Sequence, residues 1–266
     1  MNKKLSGTVP FVGLDRQFLN LEEELVSTFK QIGRSGNYVL GNYLCEFESE
    51  FARLCGVKYA VGVGTGSDAI FLILKALGIG FGDEVITCPN SFIATAWTVV
   101  ATGAKPVFVD ARDDLNINPE KIMDAVTNKT KAIIPVHLAG RPADMIAINK
   151  IAAEKNIHVI EDAAQSIGAS LNGKPVGSFG IAAGFSLHPL KNLGLLGDGG
   201  IITTNSPQLY SDIKKLRNHG LLNRDDCVMW GFNSRLDEIQ AAFALIKLKH
   251  LDKWNKKNRE VADFYS

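Results

Sequence analysis

Lys191 sits in the stretch FSLHPLKNLGLLGDGG, residues 185–200, directly after an apolar run and just before a Gly-Asp-Gly-Gly segment. A lysine among apolar and glycine residues needs a chemical or structural reason, because a desolvated ammonium is costly without a partner. An amine that forms a Schiff base needs such a setting. The site must be part apolar, so that the amine can be neutral, and the loop must hold it near a carbonyl. The alternative is a lysine whose stem lies along the surface with its ammonium in water.

Two further signals carry chemistry. In GVGTGSDA a strand runs into a helix through Gly64, Thr65, Gly66, Ser67 and Asp68, and the exposed N–H groups at such a helix start make a phosphate site. In VIEDAAQS an apolar strand delivers Glu161 and Asp162 to opposite faces, at the carboxyl end where α/β sheets bind ligands. Asp162 could equally cap a following helix, DAAQSIG. Phosphate turn, acid and lysine come in an order that would supply the three handles of pyridoxal phosphate: phosphate site, pyridinium partner and Schiff-base lysine. The glycine turn also fits a dinucleotide fingerprint as Gly64, Gly66 and Ala69, with Glu84 twenty residues beyond Gly64. Glu84 precedes VITCP, however, and so falls at the wrong end of its strand to reach a ribose, which disfavours a nicotinamide cofactor.

These residues need a scaffold, and the pattern from residue 59 onward is α/β. Seven apolar runs predict strands starting at Tyr59, Glu84, Lys105, Lys131, Ile157, Ala182 and Gly199, separated by helical segments. Most are too uniformly apolar for a wet face, which predicts a mostly parallel sheet between two layers of helices. SDAIFLILKALG reads as a helix capped at Ser67 and Asp68 and ended by Gly78, and DMIAINKIAAEKN as one running from Asp144 to Asn156. LEEELVSTFKQI and CEFESEFARLCG read as amphipathic helices on either side of the turn-forming GRSGNYVLGN, and the residues after Leu236 as one long helix to Ser266. The expected division is a helical segment over 1–40, a large α/β domain over 41–236, and a helix over 237–266 leading toward a small carboxyl-terminal domain.

Composition bounds the rest. With 266 residues, 29 Lys+Arg against 28 Asp+Glu and a net charge of +1, no global field favours nucleic acid or an anionic membrane. No run of about 18 apolar residues occurs. Cys45, Cys55, Cys88 and Cys227 show no metal-ligand spacing and suit a reducing cytoplasm, and most of them are expected to be buried small hydrophobes. No metal site is expected.

The blocks VPFVGLDRQF, GNYVLG, FESEFARLCGVKYAVGVGTGSDAI, GDEVITCPNSFIATAWTVVATGAKPVFVD, IPVHLAGRPADM, VIEDAAQSIGA, LHPLKNLGLLGDGG and GFNSRLDEIQAA span nearly the whole chain. In that order they resemble the DegT/DnrJ/EryC1/StrS family, nucleotide-sugar aminotransferases of the fold-type-I pyridoxal-phosphate class. The resemblance implies that Lys191 is the Schiff-base lysine and Asp162 the acid that keeps the pyridine nitrogen protonated. It implies that Phe92 stacks on the ring, unless Phe92 is plain core, and that Gln165 lies beside the phenolic oxygen. Gly66, Ser67, Asp68 and Ser186 would hold the phosphate, and Asn233 would reach the phosphate of a neighbouring subunit in a homodimer that shares its active sites. His188 could touch substrate or be packed.

Relatives that act as dehydratases carry histidine in place of the lysine, so Lys191 implies transamination, with glutamate as donor and a nucleotide-linked keto-sugar as acceptor. KNLGLLGDGG looks more like the enzymes that aminate a 3-keto position than like the GEGG group that acts at the 4-position. The family's HLYG is HLAG here, with Ala139 in place of a common tyrosine, and relatives run about a hundred residues further. A truncated chain is therefore expected, and a catalytically impaired or regulatory family member is the alternative function.

Overall fold

The computed structural model describes residues 11–265. Residues 1–10, which open the expected 1–40 segment, and Ser266, the expected end of the last helix, lie outside the described residues. Three helices come first: α1 (Leu14–Leu19), α2 (Glu22–Ser35) and α3 (Asn42–Cys55). Strands and helices then alternate through β1 (Tyr59–Val63), α4 (Gly66–Ala76), β2 (Glu84–Thr87), α5 (Ile93–Ala101), β3 (Lys105–Phe108), α6 (Pro119–Ala125), β4 (Thr130–Ile134), α7 (Met145–Lys155) and β5 (His158–Asp162). A small hairpin, β6 (Ser170–Leu171) and β7 (Lys174–Pro175), precedes β8 (Ala182–Ser186) and β9 (Gly200–Thr204). α8 (Pro207–Leu216), α9 (Glu238–Leu248) and α10 (Leu251–Tyr265) follow.

All seven expected strands form and join in one sheet, in the order β1-β9-β8-β5-β4-β2-β3. β9 runs antiparallel to both β1 and β8, and the pairs among β2, β3, β4, β5 and β8 are parallel. The carboxyl ends of β1, β2, β5 and β8 therefore share one edge, where an open α/β sheet forms its ligand crevice.

Period-two alternation sorts the strand residues into two buried layers. Ala183, Phe185 and Ile201 pack with Phe47 and Phe51 of α3 and Ala241 and Ala244 of α9. Their neighbours Ile160, Ala182 and Ile202 pack on the opposite face with Ile70 and Ile73 of α4 and Ile213 of α8. Ile86, Ile133 and Val159 meet Ile148 and Ala152 of α7. Such two-sided burial is what nearly continuous apolar runs predict. The edge strand β3 departs from it, with Phe108 and Lys105 exposed.

Helix ends follow their caps. Asp144 accepts from the Ala147 N–H at 3.1 Å and Asn156 closes α7 with φ 54°, as the sequence predicts. α4 begins earlier than expected: its cap is Thr65, whose Oγ1 accepts from the Asp68 N–H at 2.9 Å, not Ser67 or Asp68. The expected single terminal helix is two. His250 N–H donates to the Lys247 carbonyl at 3.0 Å, a tighter three-residue bond that interrupts the α ladder between α9 and α10. No described helix is long and apolar enough to cross a membrane. Cys55 and Cys88 are buried as expected, whereas Cys45 and Cys227 are exposed.

Candidate active site

Four strand ends and one loop enclose a cavity of about 430 Å³ at the shared edge. The turn after β1 contributes Gly66 and Ser67. These are the first two helical positions of α4, whose N–H groups have no intrahelical acceptor and gain from an anion. A Cβ on Gly66 would stand 2.6 Å from Ser186 Cβ, so only glycine lets this turn lie against the end of β8. Asp68 is held within the turn. Its N–H is already taken by Thr65, its Oδ2 accepts from Ser234 Oγ at 2.8 Å, and it does not line the cavity.

β5 delivers its two acids to opposite faces, and their surroundings differ. Glu161 is fully buried and accepts from the N–H groups of Gly177, Phe179 and Gly180, each at 2.8 Å. The Ala143 N–H donates to His137 Nδ1 at 3.0 Å, which leaves Nε2 as the ring donor to Glu161 Oε2 at 3.1 Å. Asp162 accepts only from Thr95 Oγ1 at 2.7 Å and from the Ala164 N–H at 3.2 Å, and it lines the cavity. Its lone pairs are thus not all used, and a cationic ring N–H is the donor a buried carboxylate in this position fits. The segment after Asp162 is a pair of turns and no helix, so its expected alternative role as a helix cap does not arise. Burial, with the Asp162 charge adding to it, pushes the nearby Cys88 thiol above its ordinary pKa.

Lys191 is partly exposed and lines the same cavity. Among the described residues the buried lysine is Lys247 of α9, 3% exposed, whose pKa burial pushes down. Lys247 Nζ donates to the Gly194 carbonyl and to Gln17 Oε1, and so braces the loop that carries Lys191. The loop is held at other points as well. Lys191 N–H donates to the His188 carbonyl at 2.8 Å, Leu195 N–H to the Leu187 carbonyl at 2.9 Å, and Asn192 Nδ2 to the Ile167 carbonyl at 2.7 Å. Gly194 permits this fold, since a Cβ there would stand 2.2 Å from the Pro189 carbonyl oxygen.

The cavity also collects Phe92, Gln165 and Ser186. Phe92 is 71% exposed, which rules out the plain-core alternative. Gln165 Oε1 accepts from the Ala139 N–H at 2.9 Å, in a turn where Ala139 holds φ 52°. His188 is exposed at the rim, with Nδ1 accepting from the Leu190 N–H at 3.2 Å, so it is not the packed histidine of the alternative expectation. Asn233 stands apart: it is exposed, bridges to Asn218 and does not line the cavity. Thr95 and Asp198, which the sequence did not single out, do line it. The spacing of Thr95 three residues after Phe92, one turn along α5, was the available signal. Glu84 begins β2 at the opposite edge, bound to Thr127 and Lys105, where no ribose would meet it.

The donor set fits pyridoxal phosphate: a primary amine on a braced loop, a buried acid with spare acceptor capacity, two free helix-start N–H groups beside a hydroxyl, and an exposed aromatic face. An open α/β sheet of this topology with a lysine and an acid sharing its carboxyl-edge cavity is the architecture of the fold-type-I pyridoxal-phosphate transferases.

Residues 20–266 match the model of the DegT/DnrJ/EryC1/StrS aminotransferase family, and the chain belongs to that family. It is 47% identical over 258 residues to a dTDP-3-amino-3,6-dideoxy-alpha-D-galactopyranose transaminase of Aneurinibacillus thermoaerophilus, covering 97% of this chain and 71% of the relative. Among solved structures it superposes on DesV of S. venezuelae in complex with a ketimine intermediate, with a TM-score of 0.94 and 43% identity over 97% of this chain and 70% of that one. It also superposes on Ntda of Bacillus subtilis with bound cofactor PMP, with a TM-score of 0.87 and 36% identity over 94% of this chain and 57% of that one.

Proposed function

We propose that this chain is a pyridoxal-phosphate-dependent aminotransferase that moves an amino group from glutamate to the 3-keto position of a nucleotide-linked sugar. The observation that carries the reading is the convergence of Lys191, Asp162, Phe92, Gln165, Ser186 and the Gly66–Ser67 turn on one cavity. When bound, the cofactor supplies an aldehyde to be gripped and an electron-withdrawing ring that stabilises charge next to it.

The chain's own residues do the rest. Lys191 Nζ holds the aldehyde and, once released, moves the proton at the donor's Cα. Asp162, fixed by Thr95 and the Ala164 N–H, keeps the ring nitrogen protonated. Gly66 and Ser67 N–H groups and Ser186 Oγ anchor the phosphate, Phe92 covers the ring face, and Gln165 orients the ring oxygen. Asp68 supports this turn through Ser234, and Asn233 serves the phosphate of a partner subunit.

A homodimer is supported by surface that a monomer rarely leaves open. Ile93, Trp97 and Val100 form an exposed stripe along α5, next in chain to Phe92, and Leu222 and Trp230 are exposed on the segment before Asn233. Two exposed, unpaired thiols support a reducing cytoplasmic setting. A purely regulatory member would have no use for a lysine on a braced loop that shares a cavity with a buried acid.

Adding pyridoxal phosphate to the purified protein is expected to give a visible absorbance band that L-glutamate then removes. Lys191→Ala should give no band. A wild type without a band defeats the cofactor reading, and a band that glutamate leaves unchanged defeats the donor.

A further inference from the structure

A cavity of about 640 Å³, a size that takes a small metabolite, runs along the free edge of β1 and shares no residue with the Lys191 cavity. α3 and α8 wall it, and four cations, Lys58, Lys214, Lys215 and Arg217, line it against one carboxylate, Glu48. In a chain of net charge +1 that surplus is a local feature. Lys215 is paired with Asp212 at 2.7 Å, whereas Lys58 and Lys214 have no ion-pair partner among the described residues.

Arg217 is 4% exposed, and its Nη1 donates to Glu48 Oε1 and to the Gly62 carbonyl. Its Nε and Nη2 meet no acceptor, yet neither is sealed in: Asn192 Oδ1 is the one fully buried side-chain atom among the described residues left without a partner. The edge of the guanidinium that can grip two oxygens of one anion therefore opens on the cavity. The backbone of β1 adds a donor. Asn205 Oδ1 takes the Lys58 N–H and Glu48 Oε1 takes the Gly62 N–H, so these alternate groups point away from β9. Ala60 lies between them in the same row, and its N–H faces the cavity it lines. Stacked rings of Tyr59 and Tyr210, 4.5 Å apart, with Leu44 and Leu221, supply an apolar wall.

We propose that this cavity binds a small phosphate monoester, with two oxygens on Arg217 and the remaining charge on Lys58 and Lys214, and that its occupancy steadies the turn after β1. A phosphate carries nearly two charges and suits three cations better than a carboxylate does. Arg217 reaches the turn through short contacts. Its side chain holds the Gly62 carbonyl at 2.7 Å, and its own carbonyl accepts from the Ser234 N–H at 2.9 Å. Ser234 Oγ in turn accepts from the Gly64 N–H at 3.0 Å and donates to Asp68 Oδ2 at 2.8 Å. An anion that fixes the free edge of the guanidinium thus restrains β1 where it enters the turn, and the two sites are coupled reciprocally. The coupling rests on the cofactor function proposed above, whereas the anion site does not.

Isothermal titration of the pyridoxal-phosphate-loaded protein with phenyl phosphate, benzoate and benzyl alcohol tests the proposal. Phenyl phosphate should bind, benzoate more weakly and benzyl alcohol not measurably. Cys45, an exposed thiol in the cavity wall, reports the place: phenyl phosphate should slow its alkylation by iodoacetamide and leave that of the exposed Cys227 unchanged. Arg217→Lys keeps the charge but removes the fork, and should weaken phenyl phosphate about 10-fold or more. Lys58→Ala/Lys214→Ala, on two exposed side chains, should weaken it about as much with the fold and the cofactor band intact. Loss of the cofactor on dilution, followed by its band, should slow about 5-fold at saturating phenyl phosphate. A wild type that does not bind phenyl phosphate, unchanged affinity in the Lys58→Ala/Lys214→Ala variant, no protection of Cys45, or an unchanged rate of cofactor loss each overturns the proposal. Failure of the cofactor reading looks different: no band forms, while phenyl phosphate still protects Cys45.

Discussion

Glu161 and Asp162 are consecutive residues on one strand with opposite fates. The Glu161 carboxylate is surrounded by four donors, from His137 and from residues 177 to 180, and does not line the Lys191 cavity. Asp162 has two donors and opens on the cavity that Lys191 also lines. Both are buried acids in the same short stretch, so burial alone does not distinguish structure from function. Unused hydrogen-bond capacity does. A carboxylate whose lone pairs are all taken is a tie between segments, and one held by two donors with room beside it is available to a ligand.

Substitutions can break this contrast. Glu161→Ala leaves three backbone N–H groups and an imidazole N–H without an acceptor, and should lower folding stability by roughly 3–5 kcal/mol in denaturant unfolding. Equal stability in that variant contradicts the structural role. Asp162→Ala should fold with a much smaller loss but reduce kcat/KM by about 100- to 1,000-fold, measured by amino transfer from glutamate. If the two variants exchange these outcomes, the assignment is reversed. Thr95→Val sharpens the comparison by removing one of the two Asp162 donors. It should cost about 1 kcal/mol of stability and weaken cofactor affinity, while Glu161-dependent stability is unchanged.

The smallest effect belongs to a third carboxylate at the far edge of the sheet. The hydrogen bond from Thr127, with help from Lys105, holds Glu84 below its ordinary value of 4.5. A depressed folded-state pKa contributes stability that is present above the ordinary value and lost as pH falls through the folded one. Thr127→Val should therefore move acid unfolding to slightly higher pH and leave the pH profile of activity alone.

Much of this was legible in the sequence. Seven apolar runs became seven strands because two-sided burial leaves an unbroken signature, and α7 kept both its ends because Asp144 and Asn156 are local caps. The cavity residues Asp162, Phe92, Gln165, Ser186 and Lys191 stood in quotable motifs. What stayed hidden depends on contacts between distant segments. Thr95 looks like any hydroxyl in an apolar helix until β5 places Asp162 within 2.7 Å of it. Glu161 takes its partners from residues 16 or more positions away. The break between α9 and α10 carries no glycine or proline, and the buried lysine proved to be Lys247, not Lys191, because apolar neighbours in sequence are not neighbours in space.

Borohydride reduction of the protein loaded with pyridoxal phosphate, followed by peptide mapping by mass spectrometry, tests the central claim most directly. A single adduct on the peptide that contains Lys191, with stoichiometry near one per chain, is the predicted result. An adduct on Lys247 or spread over surface lysines, with position 191 unmodified, contradicts it.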